Sequence, residues 1–191
     1  EITNYAAAKK MSFTELSMDE ALEYAVLEFP FSFWQWGGNC DEIPSENATA
    51  AAMFNYINDI VGISFYNDQT YVELLPSYYQ HLTELGYYGF DTSPVKDLLK
   101  VVHEPTNKRF APKNVDLNYN PDYINEVRDF VENKGNKILY IYGEYDTWGA
   151  CAPNPKPHVN ALKMVLKKGS HKTRIKDFSA EDQKIIYDKL Q

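Results

Sequence analysis

Lys137-Ile138-Leu139-Tyr140-Ile141-Tyr142-Gly143-Glu144-Tyr145-Asp146-Thr147-Trp148 is the stretch that decides how this chain is read. Ile138 to Tyr142 form an unbroken apolar and aromatic run, the pattern of a strand covered on both faces. Gly143 turns the run, and Asp146 follows just past its carboxyl end. A second apolar stretch, Ala161 to Val165, leads into Gly169-Ser170-His171. On the amino-terminal side, Pro121 opens a helix whose Tyr123, Ile124, Val127, Phe130 and Val131 recur at helical spacing. Gly135 joins that helix to the first strand, and Ala180 to Leu190 form the last helix. Helix and strand alternating in this way predict an α/β arrangement with parallel strands. Two strands make no stable sheet alone, so the rest of the sheet is expected in polypeptide upstream of Glu1.

Farther upstream the pattern is helical. Ser17-Met18-Asp19-Glu20 has the form of a capping box, and Leu22, Ala25, Val26 and Phe29 follow at helical spacing until Pro30. The aromatic segment Phe31-Ser32-Phe33-Trp34-Gln35-Trp36 closes in Gly37-Gly38. A second helix is expected after Ser45, running toward Ile63. Loop is expected near Tyr66, then a helix over Tyr71 to Leu75, after which the chain continues beyond Pro76 through Tyr78, Tyr79, Leu82 and Leu85 to Gly86. A short amphipathic helix is expected over Val95 to Val102, and a polar, proline-interrupted surface loop from His103 to Asn118. No internal repeat is evident.

Composition narrows the function. The 191 residues are 44% hydrophobic and 15% aromatic, with Tyr 15 and Phe 10, enough to build a core rather than remain disordered. A net charge of −8 leaves no basic footprint for nucleic acid. No apolar run approaches the roughly 20 residues needed to span a bilayer. The start at Glu1 carries neither initiator Met nor leader pattern and reads as a cut end. Cys40 and Cys151 are too few for a disulfide framework, though enough for one bridge. Neither they nor His81, His103 and His158 show metal-ligand spacing, so no metal or cofactor is called for.

Chemistry concentrates in two residues. Asp146 sits where open parallel sheets place their working groups, suited to hold a histidine in one tautomer. Alternatively it caps its own turn, as loop aspartates often do. His171, on the loop past the second strand, has the intrinsic pKa of a general base; the plainer alternative is an exposed loop histidine. Acid then base, each just past a strand, is the order of the last two triad members in α/β-hydrolases. The first member is missing, because no Gly-x-Ser-x-Gly elbow occurs in the 191 residues. Cys151 lies on Asp146's own loop and is badly placed to replace it.

Four segments carry a family resemblance. They are Leu22-Glu23-Tyr24-Ala25-Val26-Leu27-Glu28-Phe29-Pro30-Phe31-Ser32-Phe33-Trp34-Gln35-Trp36-Gly37, Tyr79-Gln80-His81-Leu82-Thr83-Glu84-Leu85-Gly86-Tyr87-Tyr88, Tyr142-Gly143-Glu144-Tyr145-Asp146-Thr147-Trp148, and Gly169-Ser170-His171-Lys172-Thr173-Arg174-Ile175. Together they resemble the prolyl tripeptidyl aminopeptidase family of secreted serine peptidases, related to lysosomal prolyl carboxypeptidases. The resemblance implies a partial α/β-hydrolase: residues 1–70 a helical cap region, and 71–191 the C-terminal part of the catalytic domain.

It implies a proline-tolerant serine aminopeptidase that releases short N-terminal peptides and works outside the cytoplasm. Asp146 and His171 would be its acid and base. The peptide substrate and the missing N-terminal half of the same protein would be its partners. The chain alone, lacking the nucleophile, is expected to be inactive; the alternative is a catalytically inactive peptide-binding domain. The family's acid loop usually reads Asp-Pro-Trp, and Thr147 stands here in place of the proline. An aminopeptidase must also hold a free α-ammonium group, for which a partly buried carboxylate is the natural partner. Gln80 and Glu84, four apart on an expected helix, are candidates, with Trp34, Trp36 and Trp148 as an apolar wall.

Overall fold

Capping and apolar spacing build six α-helices, which a computed structural model describes across residues 1–190. These are α1 (Ile2–Lys9), α2 (Met18–Trp36), α3 (Ala50–Ile60), α4 (Asp68–Gln80), α5 (Asp122–Asn133) and α6 (Ala180–Leu190). Two strands, β1 (Asn136–Gly143) and β2 (Asn160–Leu166), pair in parallel, with Ile138 opposite Ala161 and Gly143 opposite Leu166. The fold is therefore mixed, mostly helical, with a small two-stranded parallel sheet.

The chain divides into two compact units. The first comprises residues 1–32 and 40–121, the second residues 33–39 and 122–190 of the described chain. The boundary expected near residue 70 does not coincide with this division, since residues 71–121 pack with the first unit. The core of that unit joins Leu16, Ala21, Tyr24 and Ala25 to Phe54, Ile63, Tyr66, Tyr71, Tyr78 and Phe110, all buried. Tyrosine and phenylalanine rings meet edge-on or offset through it, as Tyr24 does with Phe110 at 4.8 Å between centroids.

Local chemistry explains most element ends. Ser17 and Glu20 exchange the two bonds of a capping box, Glu20 N–H to Ser17 Oγ at 3.1 Å and Ser17 N–H to Glu20 Oε2 at 2.8 Å. Thr49 caps α3 through Ala52 N–H, and Asn67 caps α4 through Thr70 N–H. Two expectations fail. Pro30 does not stop α2, which runs on to Trp36. Its ring costs one intrahelical bond and some strain, and the buried Phe33 and the contact of Phe31 with Tyr88 offset that cost. Nor do Val95 to Val102 form a helix. The amides of Lys100, Val101 and Val102 all donate to the Glu23 carboxylate, which pins the segment as irregular chain.

Asp68 performs a similar service at the start of α4. Its carboxylate accepts from Thr14 N–H at 2.8 Å, Glu15 N–H at 3.0 Å and Thr14 Oγ1 at 2.9 Å. Desolvation pushes its pKa up, but the bonds from Glu15, Ser12 and Thr14 outweigh it and hold the value at about 2, below the ordinary 3.8. Because the folded value is the lower one, the bonds stabilise fully above pH 3.8 and are lost as pH falls through about 2. Asp68→Asn is expected to cost about 1 kcal/mol at neutral pH. Paired thermal melts of the two proteins should converge as the pH drops through that window. A gap that stays constant into acid would exclude this linkage.

In the second unit, Phe33, Phe178 and Ile186 are buried and α6 packs on β1. The apolar stripe of α5 is not covered: Tyr123, Val127 and Phe130 are exposed. Among the described residues, no helix is long and apolar enough to cross a membrane.

Candidate active site

The site grows from the carboxyl ends of the two parallel strands. β1 ends in Gly143, and there the backbone doubles back so that Asp146 N–H donates to Gly143 O at 3.2 Å. The next loop is drawn alongside. Tyr145 N–H donates to Gly169 O at 2.8 Å, and Glu144 N–H to Leu166 O at 3.0 Å. This approach demands glycine at 143. A Cβ there would lie 2.4 Å from both Gly169 C and Ser170 O, which are backbone atoms.

Brought together in this way, His171 Nδ1 lies 2.8 Å from Asp146 Oδ2. The aspartate side chain is 7% exposed and the imidazole 45% exposed. A buried acid thus faces a base that remains open to solvent. Asp146 Oδ1 accepts from Trp148 N–H at 3.2 Å, capping the 3-10 turn Thr147–Cys151. Asp146 thus both caps its own turn and contacts the histidine. In the tautomer that carries its proton on Nδ1, the imidazole donates to this carboxylate and Nε2 keeps its lone pair. Nε2 has no hydrogen bond to any described residue.

The tryptophans surround this pair. Trp36 meets the imidazole edge-on at 5.4 Å, and Trp34 meets Tyr145 at 5.2 Å. Trp148 contributes its amide to Asp146, with its ring exposed. The carbonyl of Gln35, in the last turn of α2, accepts His171 N–H at 2.8 Å and fixes the histidine backbone. An open cavity of about 540 Å³ borders Asp146, walled by Trp34, Tyr142, Tyr145, Lys163 and Val165 but not by His171.

Gln80 and Glu84 lie in the first unit, and both are exposed. The α-helical register that pairs them ends at Gln80, because residues His81–Leu85 form a π turn closed by Gly86 N–H to His81 O. Cys40 and Cys151 are both free and exposed. Sequence inspection missed Gln35 and Tyr145, whose contributions are a backbone carbonyl and a ring edge. Neither leaves a residue-type signature.

Comparison with known proteins points to a peptidase family. A family model described as PS-10 peptidase S37 matches residues 1–157, a span that takes in Asp146 and stops short of His171. A prolyl tri/tetrapeptidyl aminopeptidase of Streptomyces mobaraensis is 28% identical over 134 residues, 69% of this chain and 28% of that protein. The chain thus spans under a third of the length of that relative. No solved structure matches the chain.

Proposed function

The chain belongs to the PS-10 peptidase S37 family, and from that premise we propose that it supplies the acid and base of a serine aminopeptidase. The observation that carries this reading is the Asp146–His171 pair, with its buried carboxylate and half-exposed imidazole. In the proposed reaction Nε2 takes the proton of a serine hydroxyl as the oxygen attacks the peptide carbonyl, then passes it to the leaving amine. Asp146 holds the imidazole orientation and offsets the imidazolium charge. Water, deprotonated by the same nitrogen, releases the acyl group.

The nucleophile belongs to polypeptide beyond these residues, because no serine here stands on a glycine-flanked elbow. The parallel register of β1 and β2, with both functional loops at their carboxyl ends, supports a partial α/β-hydrolase whose remaining strands lie elsewhere in the protein. The uncovered stripe of α5 supports it as well. From the relative we take the substrate class: peptides with a free N-terminus, released in short pieces, with proline tolerated. Trp34, Trp36 and Trp148 would form apolar wall. An extracytoplasmic location goes with this reading.

A fluorophosphonate probe, which acylates activated serines, tests it. The intact protein should be labelled, and labelling should vanish with His171→Ala. The 191-residue chain by itself should remain unlabelled and inactive on a proline-containing tripeptide anilide. No labelling of the intact protein would favour a peptide-binding domain without catalysis.

A further inference from the structure

Three of the four carboxylates on α2, those of its glutamates, have surroundings that can be compared. Glu20 pairs with Arg109 at 3.1 Å, and Glu23 accepts from three backbone amides. Glu28 has neither kind of partner. Tyr88 Oη donates to its Oε2 at 2.6 Å, and Ser32 Oγ reaches Oε1 at the outer limit of 3.5 Å. Among the described residues no Lys, Arg or His forms an ion pair with it.

Around it stand aromatic rings. Phe31 meets Tyr88 at 5.0 Å and Phe90 at 6.0 Å, and Tyr87 stacks on Tyr88 at 4.8 Å. The other titratable groups that sense the carboxylate are Tyr66 and Tyr78, again neutral phenols. Burial holds the Glu28 carboxyl above its ordinary range, against the opposing bonds from Tyr88 and Ser32. A glutamine would accept from the same two hydroxyls with no charge to desolvate. No described residue supplies a positive partner for this charge. All these residues belong to the first unit.

We propose that Glu28 and the rings of Phe31, Tyr87, Tyr88 and Phe90 form a binding site for an organic primary ammonium group, the free α-amine of a peptide. The donor set selects this class. An ammonium gives N–H donors to a carboxylate and rests its charge on π faces. A hard divalent cation needs six or more oxygen ligands, which one carboxylate and two hydroxyls do not provide. Anions are repelled. Glu28 is half-buried, so the residue is not sealed from solvent. Sequence proposed Glu84 for such a role, and its side chain is exposed where that of Glu28 is half-buried. It rests on the aminopeptidase reading only for the identity of the amine.

Calorimetric titration decides it, performed on the intact protein carrying His171→Ala so that peptide is not consumed. The ligands are a proline-containing tripeptide amide with a free N-terminus and its N-acetyl counterpart. The free amine should bind about 10-fold more tightly, as a partly desolvated charge pair with cation–π support provides. Glu28→Gln should bring the two ligands within about twofold of one another, while Glu84→Gln leaves the 10-fold margin intact. Phe31→Leu keeps the carboxylate and removes one π face, so it should weaken only the free amine, by about threefold. This variant decides the matter if Glu28→Gln does not fold. Equal binding of both peptides, or a margin indifferent to Glu28→Gln and Phe31→Leu, would overturn the proposal. Failure of the catalytic reading looks different: the margin persists while the intact protein resists the fluorophosphonate probe.

Discussion

His171→Ala in the intact protein should lower kcat by about 10⁶, the scale seen when the base of a serine triad is removed. The expectation follows from the position of the imidazole, half-exposed and with Nδ1 held at 2.8 Å by a buried carboxylate. Asp146→Asn should be milder but still severe, about 10⁴, because the amide favours the tautomer that places the proton on the wrong nitrogen. The two losses should not add, since both act through one proton transfer. KM should change little in either variant. If His171→Ala retained a tenth of the activity, or if the double variant multiplied the single losses, the pair would be structural. Steady-state kinetics on a tripeptide anilide distinguish these outcomes.

Gly143→Ala should be nearly as damaging, for a different reason. The added methyl carbon would sit 2.4 Å from the backbone of Gly169 and Ser170, where no side-chain rotation relieves the clash. Backbone must move, and overpacking of this kind costs about 3 kcal/mol. The movement separates the loops that bear Asp146 and His171, so stability and activity should fall together. Chemical denaturation should show a lower midpoint with an unchanged slope. The neighbouring Gly149 provides the control, since the nearest atom to its added Cβ is a backbone oxygen 4.0 Å away. Equal effects at the two positions would mean that loop apposition is not the cause.

How much of this was legible in the chain depends on the range of the interaction. Ser17 with Glu20, the apolar run of β1 and the span Ala180–Leu190 are written within a few residues, and each forms as the pattern predicts. Pro30 misleads because its rule concerns the backbone of one helix, whereas α2 persists through packing with distant rings. The segment 95–102 misleads likewise. Its spacing is amphipathic, but Glu23, far upstream, takes the amides a helix would use. At the site, Asp146 and His171 could be picked out because strand ends and chain order mark them. Gln35 acts only through its carbonyl, and Glu28 looks like any polar position on an apolar helix until Tyr88, sixty residues on, donates to its carboxylate.

The second unit gathers residues 33–39 and 122–190, with the whole stretch 40–121 intervening. On a ribosome this has a temporal meaning. The aromatic segment Phe33–Trp36 emerges well before Phe178 and the histidine loop that Gln35 fastens. At 5–20 residues per second the nascent chain waits about 10–30 s with those rings unpartnered. Any product truncated before residue 122 would present them permanently, which makes such fragments natural clients of chaperones and proteases.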